Sequence, residues 1–189
     1  PHDLAPLQAA AAIRCASLRL KPPPGSAAWP AASPRWCALE LGGDGTASLV
    51  AGQRVAAEAA LTTAQQLSAW GDEPSERAIS PASVTAAVRA HIDRLPLRWA
   101  SSRALAEELV REVVTGAPPD AGRAERDLWT ALAVEDVARA SAALFDSGRR
   151  RLVVLGDPEE LAARLSRLGP VEVLAPVDLA VQRRVRGQR

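Results

Sequence analysis

Imidazole is scarce in this chain: His2 and His91 are its only histidines. Neither has a second histidine four or five residues away, so H-E-x-x-H and H-x-x-E-H are both absent, and so is Cys-x-x-Cys. The chain therefore carries no complete catalytic metal site of its own, and no catalytic residue or metal ligand is assigned to it. His91 stands beside Ile92 on an amphipathic stretch, where it reads as a boundary residue with one wet edge. Gly42-Gly43-Asp44-Gly45 matches neither the dinucleotide fingerprint nor a P-loop, and no lysine follows it, so it reads as a tight turn from a strand into a helix. Val153-Val154-Leu155-Gly156-Asp157 is similar to the carboxyl end of a Rossmann-type strand. It lacks the glycine-rich turn, so a nucleotide-binding module stays a distant reading. There is no G-x-S-x-G, and any serine triad would have to use His91 or His2. Arg149-Arg150-Arg151 and the basic tail over 177–189 have no interleaved aromatics. They read as a solvated turn and a frayed tail, not as a nucleic-acid surface.

The elements that must position these residues are set by periodicity. Asp3 to Ile13 reads as a helix with Asp3 as N-cap and Pro6 in the first turn. Arg14 to Leu20 alternates as a half-buried strand would, and Lys21 to Pro34 is a proline-rich connection. Arg35 to Leu41 alternates again. Asp44 to Leu49 is turn-like and leads into a long helix over Val50 to Trp70, stopped by Gly71-Asp72-Glu73-Pro74. Ser80-Pro81 opens a helix that Pro96 ends, and Ser101 or Ser102 caps the next, which stops at Gly116-Ala117-Pro118-Pro119. Short helices come next, over Glu125 to Leu132 and Glu135 to Phe145. A strand at Arg151 to Leu155, a helix at Glu159 to Leu168 and a last strand at Val171 to Leu174 complete the pattern. Strands at both ends around a block of helices are the signature of an α+β fold.

Composition bounds the partners. With 189 residues and 48% hydrophobic content the chain can bury one ordinary core, and a net charge of +1 gives no pull toward nucleic acid or an anionic membrane. No run is long and apolar enough to span a bilayer. The chain has no methionine and starts with proline, which suggests a piece of a longer or processed protein. Cys15 and Cys37 lie on either side of the proline-rich connection, so a bridge is geometrically possible, and so is a pair of buried thiols; the compartment, bacterial periplasm or cytoplasm, stays open. Five tryptophans without a tyrosine read as core and groove-lining, with Trp29 the best placed for outside contacts.

From Ala82 to Leu174 the chain resembles the C-terminal, non-catalytic domain of the insulinase/pitrilysin-type zinc peptidases, the processing-peptidase family. Leu95-Pro96-Leu97-Arg98-Trp99-Ala100-Ser101-Ser102 is similar to the family's break between two helices. Leu132-Ala133-Val134-Glu135-Asp136-Val137 is similar to its V-T-x-E-D-V helix start. Leu152-Val153-Val154-Leu155-Gly156-Asp157 is similar to its VVVGD strand, and Leu168-Gly169-Pro170-Val171-Glu172-Val173 to its closing phrase. The order and spacing of these pieces over half the chain carry the resemblance.

The resemblance implies one α+β domain over residues 1–176, with a mostly antiparallel sheet and helices packed on one face, as in one half of a clamshell. It implies zinc in a homologous partner half and none in this chain. The present half would close the substrate chamber and contact peptide or unfolded protein, held as an added edge strand. Arg14, Trp29, Arg35 and Trp36 are the residues expected to touch substrate or partner. The chain departs from the family in having no tyrosine for the usual Arg…Tyr substrate grip, and in starting after the family's opening strands. The alternative is a catalytically inactive homologue that serves as an interaction or scaffold subunit.

Overall fold

The computed structural model describes residues 4–21, 35–42, 46–116 and 121–174, with only the backbone described at 75, 76, 111, 112, 115 and 147. In chain order the elements are α1 (Leu4–Ser17), β1 (Arg35–Leu41), β2 (Ala47–Gln53), α2 (Ala60–Asp72), α3 (Ser75–Ala78), α4 (Pro81–Arg94), α5 (Ser102–Thr115), α6 (Ala121–Thr130), α7 (Val134–Leu144) and α8 (Pro158–Leu165), with a 3₁₀ turn (Leu95–Trp99) between α4 and α5. The fold is α+β, and among the described residues its sheet is the single antiparallel pair β1–β2.

Local chemistry explains most of the boundaries. Ser80 Oγ accepts from the Ser83 backbone N–H at 3.2 Å, and Ser83 Oγ accepts from the Ser80 N–H at 2.8 Å, with Pro81 at the first helical position of α4. Pro96 cannot continue that helix, and the chain tightens into the 3₁₀ turn. Ser101 Oγ accepts from the Ala104 N–H at 3.1 Å and starts α5, which closes on Gly116 at φ +64°, a left-handed position that glycine occupies without strain. Glu135 and Asp136 in the first turn of α7 complement the helix dipole. Asp157 Oδ1 accepts from the Glu159 N–H at 2.9 Å and caps α8, so Gly156-Asp157 is a helix entry.

The main core is formed by α1, α4, α6 and α7. Ala5, Ala9, Ala10 and Ile13 of α1 meet Ile79, Val84, Trp129 and Val137. Ala5 and Ala9, one turn apart, together with Ala10, let α1 approach α7 closely. A smaller core joins Ala60 and Ala64 of α2 to Leu161 and Leu165 of α8. The hairpin pairs Cys37 with Ala51 and Leu39 with Leu49 on its half-buried face, and Trp36 with Gly52 on its outer face.

Three expectations change, and a fourth falls outside the described residues. Arg14 to Leu20 is not a strand: α1 runs through to Ser17, because Arg14 is buried by aromatic side chains from α2 and from the end of α7, a tertiary effect that mimics alternation in the sequence. Ala47–Gln53 is a strand and not the lead-in to a long helix, so the glycine cluster connects two strands. The Gly42 N–H donates to Thr46 O at 2.8 Å across that connection, and residues 43–45 lie outside the described residues. The segments 151–155 and 171–174 form no ladder among the described residues. The basic tail over 177–189 lies outside the described residues.

Candidate functional site

Of the described residues expected to make contacts, Arg14 sits deepest. Its side chain is fully buried, its Nη2 donates to Trp70 O at 2.7 Å and its Nη1 to Glu73 Oε2 at 3.3 Å. The guanidinium carbon lies 3.9 Å from the Phe145 ring centroid and 5.5 Å from that of Trp70, and the two rings meet edge to face at 5.1 Å. Trp70 Nε1 in turn donates to Arg14 O at 3.2 Å and to Ser17 Oγ at 3.1 Å. Burial lowers the Arg14 pKa from its ordinary value and the Glu73 carboxylate opposes that shift; a guanidinium starts so high that it keeps its charge. All these partners are internal, so Arg14 ties α1 to α2 and to the end of α7.

The neighbouring Cys15 is bonded to Cys37, with an S–S distance of 2.06 Å and Cα atoms 5.5 Å apart. The bridge runs from a helix to a strand, so the hairpin is covalently tethered beside the Arg14 stack. A two-stranded hairpin alone is marginal in water, and this tether compensates for its thin packing. Arg35 and Trp36 are both exposed at the start of β1. Trp36 lies across its cross-strand partner Gly52, where a Cβ would collide with the indole ring. Trp29 lies outside the described residues. The structure thus leaves Arg35 and Trp36 exposed on opposite faces of the hairpin and sends Arg14 inward.

A second polar centre is not legible as such in the sequence. His91 of α4 stacks flat on Trp129 of α6, with centroids 3.7 Å apart and planes 3° apart, and its Nε2 lies 2.9 Å from Glu125 Oε1. Arg98 grips the same carboxylate in bidentate fashion at 2.5 and 2.8 Å, and its Nη1 also lies 3.7 Å from Glu108 Oε1 of α5. Burial lowers the His91 pKa, against the hydrogen bond and charge of Glu125 and with the charges of Arg98 and Arg94. Burial pushes the Glu125 carboxyl up, but Arg98 and then His91 overcome it and hold it below its ordinary value. At neutral pH the carboxylate can only accept, so neutral His91 carries its proton on Nε2 and donates. The arrangement positions four elements. It does not suit zinc: the imidazole nitrogen and the carboxylate are committed to each other and to Arg98, and no group of three potential ligands occurs among the described residues.

The third feature is apolar. In the segment 151–155, Leu152, Val153, Val154 and Leu155 are exposed, Val153 to 78% and Leu155 to 88%; Val171, Val173 and Leu174 are exposed as well. Both segments have the composition of strands, both flank α8, and neither is paired among the described residues. No helix among the described residues is long and apolar enough to cross a membrane, so these side chains do not belong to a spanning helix. These contiguous apolar side chains, strand-like in composition, are left uncovered among the described residues. No family model, curated protein or solved structure matches this chain.

Proposed function

We propose that this chain is the zinc-less half of an insulinase/pitrilysin-type metallopeptidase, closing the substrate chamber and supporting a homologous half that bears the zinc and hydrolyses peptides. The observation that carries the reading is the pair of strand-like apolar segments at 151–155 and 171–174, which join no sheet among the described residues. Sequences of this kind are built to add to a sheet, through their backbone N–H and C=O groups as much as through their side chains.

The phrases that carry the resemblance support it further. Leu95-Pro96-Leu97-Arg98 lies in the 3₁₀ break between α4 and α5, and Val134-Glu135-Asp136-Val137 opens α7. In this reading the exposed rim of β1, with Arg35 and Trp36, contacts extended substrate or the partner half. The Cys15–Cys37 bridge suits an oxidising compartment.

A second reading, an inactive homologue acting as an interaction or scaffold subunit, is favoured by the burial of Arg14. That residue is among those expected to touch substrate or partner, and its donors face inward. The two readings part on one experiment. The chain is tagged and recovered from its native source, and any co-purifying subunit with H-x-x-E-H is assayed for zinc and for peptide cleavage with and without this chain. Cleavage that requires the chain supports the peptidase half. A zinc-bearing subunit that cleaves equally well alone overturns it.

A further inference from the structure

Helix α5 is turned opposite to what its amphipathicity dictates for an isolated domain. Glu108, only 9% exposed, points inward, while Leu105, Ala106, Leu109, Val110, Val113 and Val114 all face solvent. A carboxylate is costly to bury unless it is paired, and here Arg98 approaches both Glu108 and Glu125, which His91 also contacts. This polar network fixes the rotation of α5 and holds the apolar stripe outward.

We propose that this stripe is the seam of a homodimer in which two copies of α5 pack antiparallel about a two-fold axis. The proposal is independent of the peptidase reading. A two-fold contact needs one patch that is complementary to itself, and the stripe is symmetric about the point between Leu109 and Val110. Antiparallel pairing about that point sets Leu105 against Val114 of the second copy, Ala106 against Val113 and Leu109 against Val110. Each larger side chain thus meets a smaller one, as interdigitation requires. The Arg103–Glu107 ion pair, at 2.8 Å, borders the stripe as a polar rim. The six side chains present on the order of 500 Å² per copy, so pairing covers about 1,000 Å² in all, the lower bound for a specific interface.

The test is sedimentation of the full chain at tens of micromolar, with far-ultraviolet circular dichroism as the check on folding. The expected result is a species of twice the 19.9 kDa chain mass. Val113→Lys combined with Val114→Lys, at positions already 81% and 79% exposed, leaves the helical signal unchanged and weakens association at least about a hundredfold. The register is read by cysteine pairs: Ala106→Cys mixed with Val113→Cys forms an interchain bridge on mild oxidation, and neither variant does so alone. A wild-type monomer at these concentrations overturns the proposal, as does a dimer that survives both lysines or a bridge formed by Val113→Cys alone. A wild-type chain that stays monomeric, while cleavage by a zinc-bearing partner still requires it, sinks this proposal and leaves the peptidase reading standing.

Discussion

Around Arg14 the molecule takes charge and aromatic surface into its interior and gives most of the polar atoms a partner; around α5 and the segments flanking α8 it leaves valines and leucines in water. The two regions are built from the same alanine- and leucine-rich vocabulary, so composition does not separate them. What separates them is whether the apolar face of each element has a surface in this chain to cover it. Ala9, Ala10 and Val137 have no exposure, while Val153 and Leu155 are mostly exposed. A folded region of the first kind supports itself. A region of the second kind leaves apolar surface that no described residue of this chain covers.

The contrast breaks most sharply at its buried end. Arg14→Ala removes the stack on Phe145 and Trp70 and leaves a cavity between α1 and α2, at a cost of about 3–4 kcal/mol. For a chain of this length that is a fall in Tm of roughly 10 °C, readable by calorimetry. The double variant Cys15→Ser, Cys37→Ser frees a loop closed at a separation of 22 residues and costs about 3 kcal/mol on the chain-entropy account. Its signature is early loss of protection at β1 and β2 amides, with α1 and α7 protected for longer.

Acid sharpens the comparison by acting on the polar network that holds α5 to the body. The folded pKa of His91 lies below its unfolded value, so the unfolded chain takes up the proton first. Stability is complete above the ordinary imidazole value of ~6.5 and falls as pH drops through the lowered folded pKa. Glu125 has the same sign: its contribution holds above the ordinary carboxyl range and is lost as pH falls through its lowered folded value. Denaturant midpoints measured from neutral pH downward therefore fall in two steps, and His91→Gln removes the upper one.

At the exposed end, Val153→Asp changes the stability of the isolated chain by less than about 0.5 kcal/mol, because there is no packing there to lose. In the peptidase reading the same variant abolishes coupling to the zinc-bearing half. A large loss of stability in the isolated chain would mean that the segment is already covered.

How much of the fold and the site can be read from the sequence depends on the reach of each signal. The Ser80-Pro81 capping box, the Pro96 break, the Gly116 stop and β1 are local, and the sequence shows each within a residue or two. Arg14 misleads because its aromatic partners lie 56 or more residues away, and a buried cation in a helix has no local pattern. Ala47–Gln53 escapes the sequence reading because its alternation is built from small residues, and pairing with β1 decides its conformation. The segments 151–155 and 171–174 read as strands from composition alone and form none among the described residues, because a strand is completed only by a partner. His91 reads correctly as a boundary residue; its stacking on Trp129 and its shared hold on Glu125 depend on a 34-residue separation that no spacing rule exposes.

The most direct test of the central claim is amide hydrogen exchange at residues 151–155 and 171–174, in the isolated chain and in complex with the proposed zinc-bearing half. The account predicts exchange close to the unprotected rate in isolation and slowing of about a hundredfold or more in the complex, as the segments join a sheet. Strong protection in isolation, or exchange that stays fast in a complex competent for cleavage, would contradict it.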